Sequence, residues 1–259
     1  MKNSARGLAV KTKEIVNNQE IAWNPVKNSW DKVVEKNREI IEKDEEVIKQ
    51  FIADVSTRYN KRKIISFSGG KDSLCLTSLI LDAGIDNANI VFIDTKIEFP
   101  ETIRYVYEVL SDLGVNDRLI LKENKKDFWD IVKRLGPPSR DFRWCSRVCK
   151  LMPMRELIKE KIKGGCLTFV GQRKYESFSR AAEAKISETY FVKGQTKVSP
   201  IKDWNALEVW VYISLKKLKV NPLYYMGFNR IGCYMCPASD LADLENVKLI
   251  HPNLWERWQ

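Results

Sequence analysis

Histidine is almost absent from this chain: His251 is the only one in 259 residues. That nearly excludes a Ser-His-Asp triad and histidine-rich zinc sites, and a lone histidine usually reads as surface or core. No apolar run approaches the length needed to cross a bilayer. The opening Met1-Lys2-Asn3-Ser4-Ala5-Arg6 has no apolar stretch behind it, so no secretory signal is expected and the chain reads as cytoplasmic, with no membrane partner. Internal repeats and low-complexity segments are also missing. The six cysteines are therefore read as residents of a reducing compartment, where structural disulfides are rare.

What is present is an ordinary globular composition, 44% apolar and 30% charged, long enough for one large domain with appendages. The formal charge of +10 admits two readings. One is attraction to a polyanion, a nucleotide or a nucleic acid. The other is a lysine-rich solvated surface, which the scatter of basic among acidic residues favours.

Residues 1–28 are basic and weakly patterned and read as an N-terminal arm. From Trp30 onward, Val33, Val34, Ile40, Ile41, Val47, Ile48, Phe51, Ile52 and Val55 recur at helical spacing, giving a long amphipathic helix over 29–60. The pattern then changes to strands near 63–67, 90–94, 118–121 and 167–170, alternating with helices near 100–113, 128–135 and 152–161. That alternation predicts an α/β fold over 61–240, a doubly wound, mostly parallel sheet with an N-terminal helical extension; 241–259 reads as a C-terminal tail.

Between the first strand and its helix lies Ser68-Gly69-Gly70-Lys71-Asp72-Ser73. The two glycines allow a tight turn that brings backbone N–H groups to an anion, and the following helix aims its positive end there. Ser68 and Ser73 offer hydroxyls and Lys71 a mobile charge. It is not a Walker loop, which needs four residues between its first glycine and Gly-Lys. In an open α/β sheet the ligand lies at the carboxyl ends of the strands, which adds Asp94 and Thr95.

The cysteines fall into two close pairs. Cys145 and Cys149 are four apart where a helix is expected to open, and Cys233 and Cys236 form a Cys-x-x-Cys loop. Four thiolates so paired can enclose a [4Fe–4S] cluster, with zinc as the lesser alternative; Cys-x-x-Cys alone can also be a redox pair. Cys75 and Cys166 read as core. Trp204 and Trp210 sit at a spacing that suits packing rather than single-strand stacking.

Ser68 to Ser73 resembles the loop of the adenine nucleotide α-hydrolase group, the PP-loop ATP pyrophosphatases. The rest resembles the phosphoadenylyl sulfate (PAPS) reductase family. The matching segments are Val91-Phe92-Ile93-Asp94-Thr95 with Phe99-Pro100-Glu101-Thr102, and Gly171-Gln172-Arg173-Lys174-Tyr175-Glu176-Ser177 with Arg180. Distally, Pro200-Ile201-Lys202-Asp203-Trp204, Glu208-Val209-Trp210, Asn221-Pro222-Leu223-Tyr224 and Gly232-Cys233 follow in the same order. The resemblance implies a nucleotide site at residues 68–73, 94, 95 and Gly171, with Arg173 and Arg180 clamping sulfate or phosphate. It also implies an oxidoreductase that reduces APS or PAPS to sulfite, using a thioredoxin-like dithiol. Adenylyl sulfate (APS) reductases that bear a cluster carry an adjacent Cys-Cys pair; here Ser146 stands where the second cysteine would be. Known reductases attack with a cysteine in a C-terminal Glu-Cys-Gly tail, and no cysteine follows Cys236, which leaves the attacking thiol open. Two other readings stay open. One is an ATP-using enzyme that adenylates an acceptor such as tRNA, with Mg²⁺ near Asp72. The other is a non-catalytic nucleotide- or nucleic-acid-binding module.

Overall fold

A computed structural model describes the backbone of residues 4–162 and 164–259, and the side chains of those from residue 29 onward. Helix α1 (Ser4–Arg58) opens the chain, so the stretch read as an arm is helical from Ser4, and its side chains up to residue 28 lie outside the described ones. Then come β1 (Arg62–Ser66), α2 (Lys71–Asp82), β2 (Asn89–Asp94), α3 (Pro100–Asp112), β3 (Leu119–Glu123) and α4 (Phe128–Leu135). A π-helical turn at Ser146–Leu151 leads into α5 (Met152–Lys161). The second half holds β4 (Cys166–Val170), α6 (Phe178–Ala182), β5 (Ile186–Glu188), β6 (Gln195–Val198), α7 (Ala206–Leu215), α8 (Leu241–Ile250) and α9 (Pro252–Glu256).

The six strands lie in the order β3-β2-β1-β4-β6-β5. All pairings are parallel except β5 with β6. Strand order reverses between β1 and β4, the place where an open α/β sheet leaves a crevice at the carboxyl ends of its strands.

Alternation along the strands sets the layers. Ile65, Phe67, Ile90, Phe92, Leu167 and Phe169 face a core built with α1, α2, α3 and α7. Their neighbours Ile64, Val91 and Cys166 face α5 through Met154, Leu157 and Ile158. Helices therefore cover both faces. Cys75 and Cys166 are fully buried and Trp204 nearly so, as expected of core residues. On α1, Ile41, Ile48, Ile52 and Val55 form the buried stripe, while Ile40 and Val47 face outward.

Residues 241–259 are a packed element rather than a tail. Val247, Leu254, Trp255 and Trp258 join Phe99, Phe128 and Trp144 in a second core beside the Cys-x-x-Cys loop. Trp258 stacks on Phe128 with ring centroids 6.4 Å apart.

Candidate nucleotide and cysteine site

The Ser68–Ser73 loop follows β1 and runs into α2, whose first turn has no side-chain cap. Backbone N–H groups at such a helix start are free to meet an anion. Gly69 has φ of +74°, a conformation that favours glycine. Gly171, just after β4, is needed for another reason. A Cβ there would stand 2.7 Å from the Asp72 carbonyl oxygen and 3.0 Å from the Ser73 nitrogen, so only glycine lets the end of β4 lie against the loop.

The loop's polar groups are more committed than the sequence suggests. The Ser68 N–H donates to Ser73 Oγ at 3.1 Å, and that hydroxyl donates to the Gly70 carbonyl at 2.9 Å. Ser73 thus spends its proton inside the loop. Lys71 is not a mobile charge: it is buried, with Nζ 3.1 Å from Asp72 Oδ2. Arg173, also buried, donates from Nε to Asp72 Oδ1 at 2.6 Å. Asp72 is therefore bracketed by two cations. Arg180 pairs with Glu176, whose carboxylate also accepts the Arg173 N–H at 2.8 Å. From the distal segment, the Tyr224 hydroxyl accepts the Lys71 N–H at 2.9 Å. Asn221 Nδ2 donates to the Gly69 carbonyl at 3.2 Å and to Thr102 Oγ1 at 3.1 Å. Burial raises the Tyr224 phenol above its ordinary pKa, so this acceptor stays protonated at neutral pH.

Ser68, Gly70, Lys71, Asp72, Ser73, Arg173, Glu176, Arg180 and Tyr224 line one cavity of about 760 Å³ at the carboxyl ends of β1 and β4. Of the residues expected in the site, Ser68, Gly70, Lys71, Asp72, Ser73, Gly171, Arg173 and Arg180 line it. Gly69 sits behind the loop against Thr102. Asp94 and Thr95 are not among the lining residues. The Asp94 carboxylate accepts the Lys96 N–H at 2.7 Å and closes its own turn. Thr95 is fully buried and donates to Glu98 Oε1 at 2.7 Å, and it is Glu98 that reaches the wall. The sequence reading missed Lys150 and Arg230. Both line the cavity, and neither makes an ion pair among the described residues.

A second cavity of about 50 Å³ adjoins the first and is lined by all four paired cysteines, Cys145, Cys149, Cys233 and Cys236. Lys150, Arg230 and Cys236 line both. Cys145 precedes the π-helical turn that carries Cys149, instead of opening an α-helix. Such turns often mark functional positions. Burial pushes the Cys233 thiol up to about 12 and the Cys149 thiol up to about 11. A reactive dithiol needs the opposite shift, whereas binding to a metal removes a thiol proton outright. The Cys233 sulfur in turn raises the Lys150 ammonium pKa. Among the described residues no three Cys, His, Asp or Glu side chains are gathered to hold a metal ion. The four sulfurs surround a small void with apolar walls at Ile97, Phe128 and Met235 and cations at Arg143, Lys150 and Arg230.

The domain profile described as the phosphoadenosine phosphosulfate reductase domain matches residues 62–239. The chain belongs to the PAPS reductase family. Within it, an uncharacterised protein of Methanocaldococcus jannaschii is 42% identical over 81% of this chain and 43% of its own length. A second from the same organism is 35% identical over 98% of this chain and 60% of its own. The chain thus spans about half the length of these two relatives. An adenosine 5'-phosphosulfate reductase of Geobacillus kaustophilus is 30% identical over 73% of this chain and 79% of its own. A PAPS reductase structure from Candida auris, a phosphate complex, shares the fold with TM-score 0.56 at 22% identity, covering 73% of this chain and 89% of that one. A Candida glabrata FMN adenylyltransferase shares it with TM-score 0.57 at 14% identity over 76% and 65%. Among the described residues no helix is long and apolar enough to cross a membrane.

Proposed function

We propose that the chain binds an adenine sulfonucleotide, APS or PAPS, and acts in its thiol-dependent reduction to sulfite. The observation that carries this reading is the continuity of the two cavities. The phosphate loop of a PAPS reductase-family domain and the four-cysteine pocket share Lys150, Arg230 and Cys236 as a common wall.

In this reading the loop N–H groups and the start of α2 hold the anionic end of the nucleotide. Arg173 and Lys71 neutralise Asp72, so the loop presents net positive potential despite its carboxylate. Lys150 and Arg230, which make no ion pair among the described residues, take the sulfonate oxygens. A thiolate then attacks the sulfonate sulfur; an S–S bond forms, the S–O bond breaks and the nucleotide leaves as its phosphate. A second thiol attacks the sulfur of the first thiol, the bond to the sulfonate breaks, a disulfide forms and sulfite departs, which balances two thiols oxidised against one sulfonate reduced. The thiols come from a dithiol reductant of the thioredoxin class. Cys145, Cys149, Cys233 and Cys236 would hold a [4Fe–4S] cluster, which supplies a fixed local charge beside the site.

Thermal shift tests the substrate class. A ligand present at about 100 times its Kd adds roughly 2.7 kcal/mol to the native state. APS or PAPS is expected to stabilise well above AMP or ATP, and sulfite is expected when a dithiol is supplied. A preference for ATP with Mg²⁺ would replace this reading with adenylation. Protein purified without oxygen is expected to hold about four irons and four sulfides per chain. Cys149→Ser is expected to lose them and Cys166→Ser to keep them; one zinc per chain instead would refute the cluster.

A further inference from the structure

One part of this molecule gathers several arginines that make no ion pair among the described residues. From Pro137 to Arg155 the chain carries Arg140, Arg143, Arg147, Lys150 and Arg155 against one acid, Asp141. All five cations are exposed, and among the described residues none makes an ion pair. The nearby Glu156 and Glu160 are taken by Lys122 on β3 and Lys125 just after it. Arg140 donates only to the carbonyls of Pro237 and Ser239, each at 3.3 Å. Arg147 and Arg155 lie over the Phe191 ring, 4.7 and 5.6 Å from its centroid. From another segment, exposed Arg230 meets Arg143 and Lys150 at the cysteine pocket. Some cations outside the rim, among them Lys174, Lys197, Lys216 and Lys219, are paired with a carboxylate.

The chemistry of this rim is specific. It is arginine-rich, and guanidinium forks match phosphate oxygens and stack on bases in ways an ammonium does not. Phe142 stands among these arginines, 54% exposed, a ring of the kind that stacks a base. An acidic protein segment would offer carboxylates to the arginines but no base for Phe142 to stack, whereas a single strand uses both features. Lys150 and Arg230 also line the large cavity, so rim and nucleotide site are one continuous surface.

We propose that this rim binds single-stranded RNA, with the strand crossing the arginines and passing the mouth of the nucleotide cavity. The proposal goes beyond sulfonucleotide reduction and stands or falls independently of it.

The test is fluorescence anisotropy of the full chain with an oligouridylate of about 16 nucleotides, the upper end of single-strand site sizes, over a salt series. Each phosphate neutralised contributes about −0.7 to the slope of log K against log salt. Six cations then give a slope of about −4. Arg143→Ala with Arg147→Ala is expected to make the slope shallower by about 1.4 and to weaken binding about tenfold or more. Arg147→Gln with Arg155→Gln, outside both cavities, is expected to do the same should the first pair disturb the cysteine pocket. Lys36→Ala with Lys43→Ala, exposed on α1, is expected to change neither quantity. Equal losses in all three variants, or no loss in the arginine variants, would overturn the proposal. So would displacement of the RNA by polyglutamate as readily as by unlabelled oligouridylate, which would point to an acidic protein instead.

Discussion

Adding one methyl group at Gly171 tests whether the phosphate loop depends on its contact with β4. The Cβ of Gly171→Ala would meet Asp72 O at 2.7 Å, Asp72 C at 2.8 Å and Ser73 N at 3.0 Å, all backbone atoms that no rotamer change can move. Reaching ordinary contact at 3.4 Å requires β4 and the loop to part by about 0.7 Å. Overpacking of this kind costs about 1–3 kcal/mol, and for a domain of this size each kcal/mol lowers Tm by about 2–4 °C. The same displacement moves the N–H groups away from the anion, and misplacement by about 1 Å can cost about 100-fold in a positioned site. Gly232→Ala is the control, because its Cβ would meet nothing within 4 Å although Gly232 lines the same cavity. Thermal unfolding with and without sulfonucleotide is the assay. The expected outcome for Gly171→Ala is a Tm lower by about 2–12 °C, with ligand stabilisation mostly lost. An unchanged Tm together with an unchanged ligand shift would refute the reasoning.

Two further outcomes follow from charge burial. Arg173→Ala removes the 2.6 Å partner of Asp72 and leaves that carboxylate with Lys71 alone, so a loss of about 3 kcal/mol is expected in denaturant unfolding. Burial raises the Asp243 carboxyl above its ordinary pKa, and Asp243 Oδ2 has no hydrogen-bond partner. The folded state therefore holds this proton more tightly than the unfolded one, and stability falls as pH rises from the ordinary carboxylate range through the raised value. Relative to the unsubstituted chain, Asp243→Asn is expected to gain more Tm at pH 7 than at pH 4; a gain independent of pH would sink this account.

The parts of the fold legible in the sequence were those written in local pattern. β1, β2 and β4 are apolar β-branched and aromatic runs, and the Gly-Gly loop stands where a strand meets a helix. β5 and β6 were not read. Ile186–Glu188 and Gln195–Val198 are short and largely polar, and they become strands through pairing with β4 and with each other, which sequence pattern does not record. The loop and the cysteines gave the two halves of the site, because each is a motif with its own spacing. Arg230 gave no such signal: it is a single arginine in a segment with no charge pattern, and only the fold brings it to Lys150. Asp94 and Thr95 were placed correctly at a strand end, but one closes its own turn and the other is buried behind Glu98. Which way a side chain leaves a strand end depends on the turn that follows.

The clasp of Asn221 and Tyr224 on the phosphate loop fixes when that loop can exist. Its two hydrogen bonds to Gly69 and Lys71 span 152 and 153 residues of chain. Closing so long a span comes late in folding, because its entropy must be lost before the contact rewards it. A nascent chain that has completed β1 and α2 therefore has the glycines but not yet the fixed loop. Nucleotide affinity matures only when the segment beginning at Asn221 has docked, which makes anion binding a reporter of the last stage of assembly.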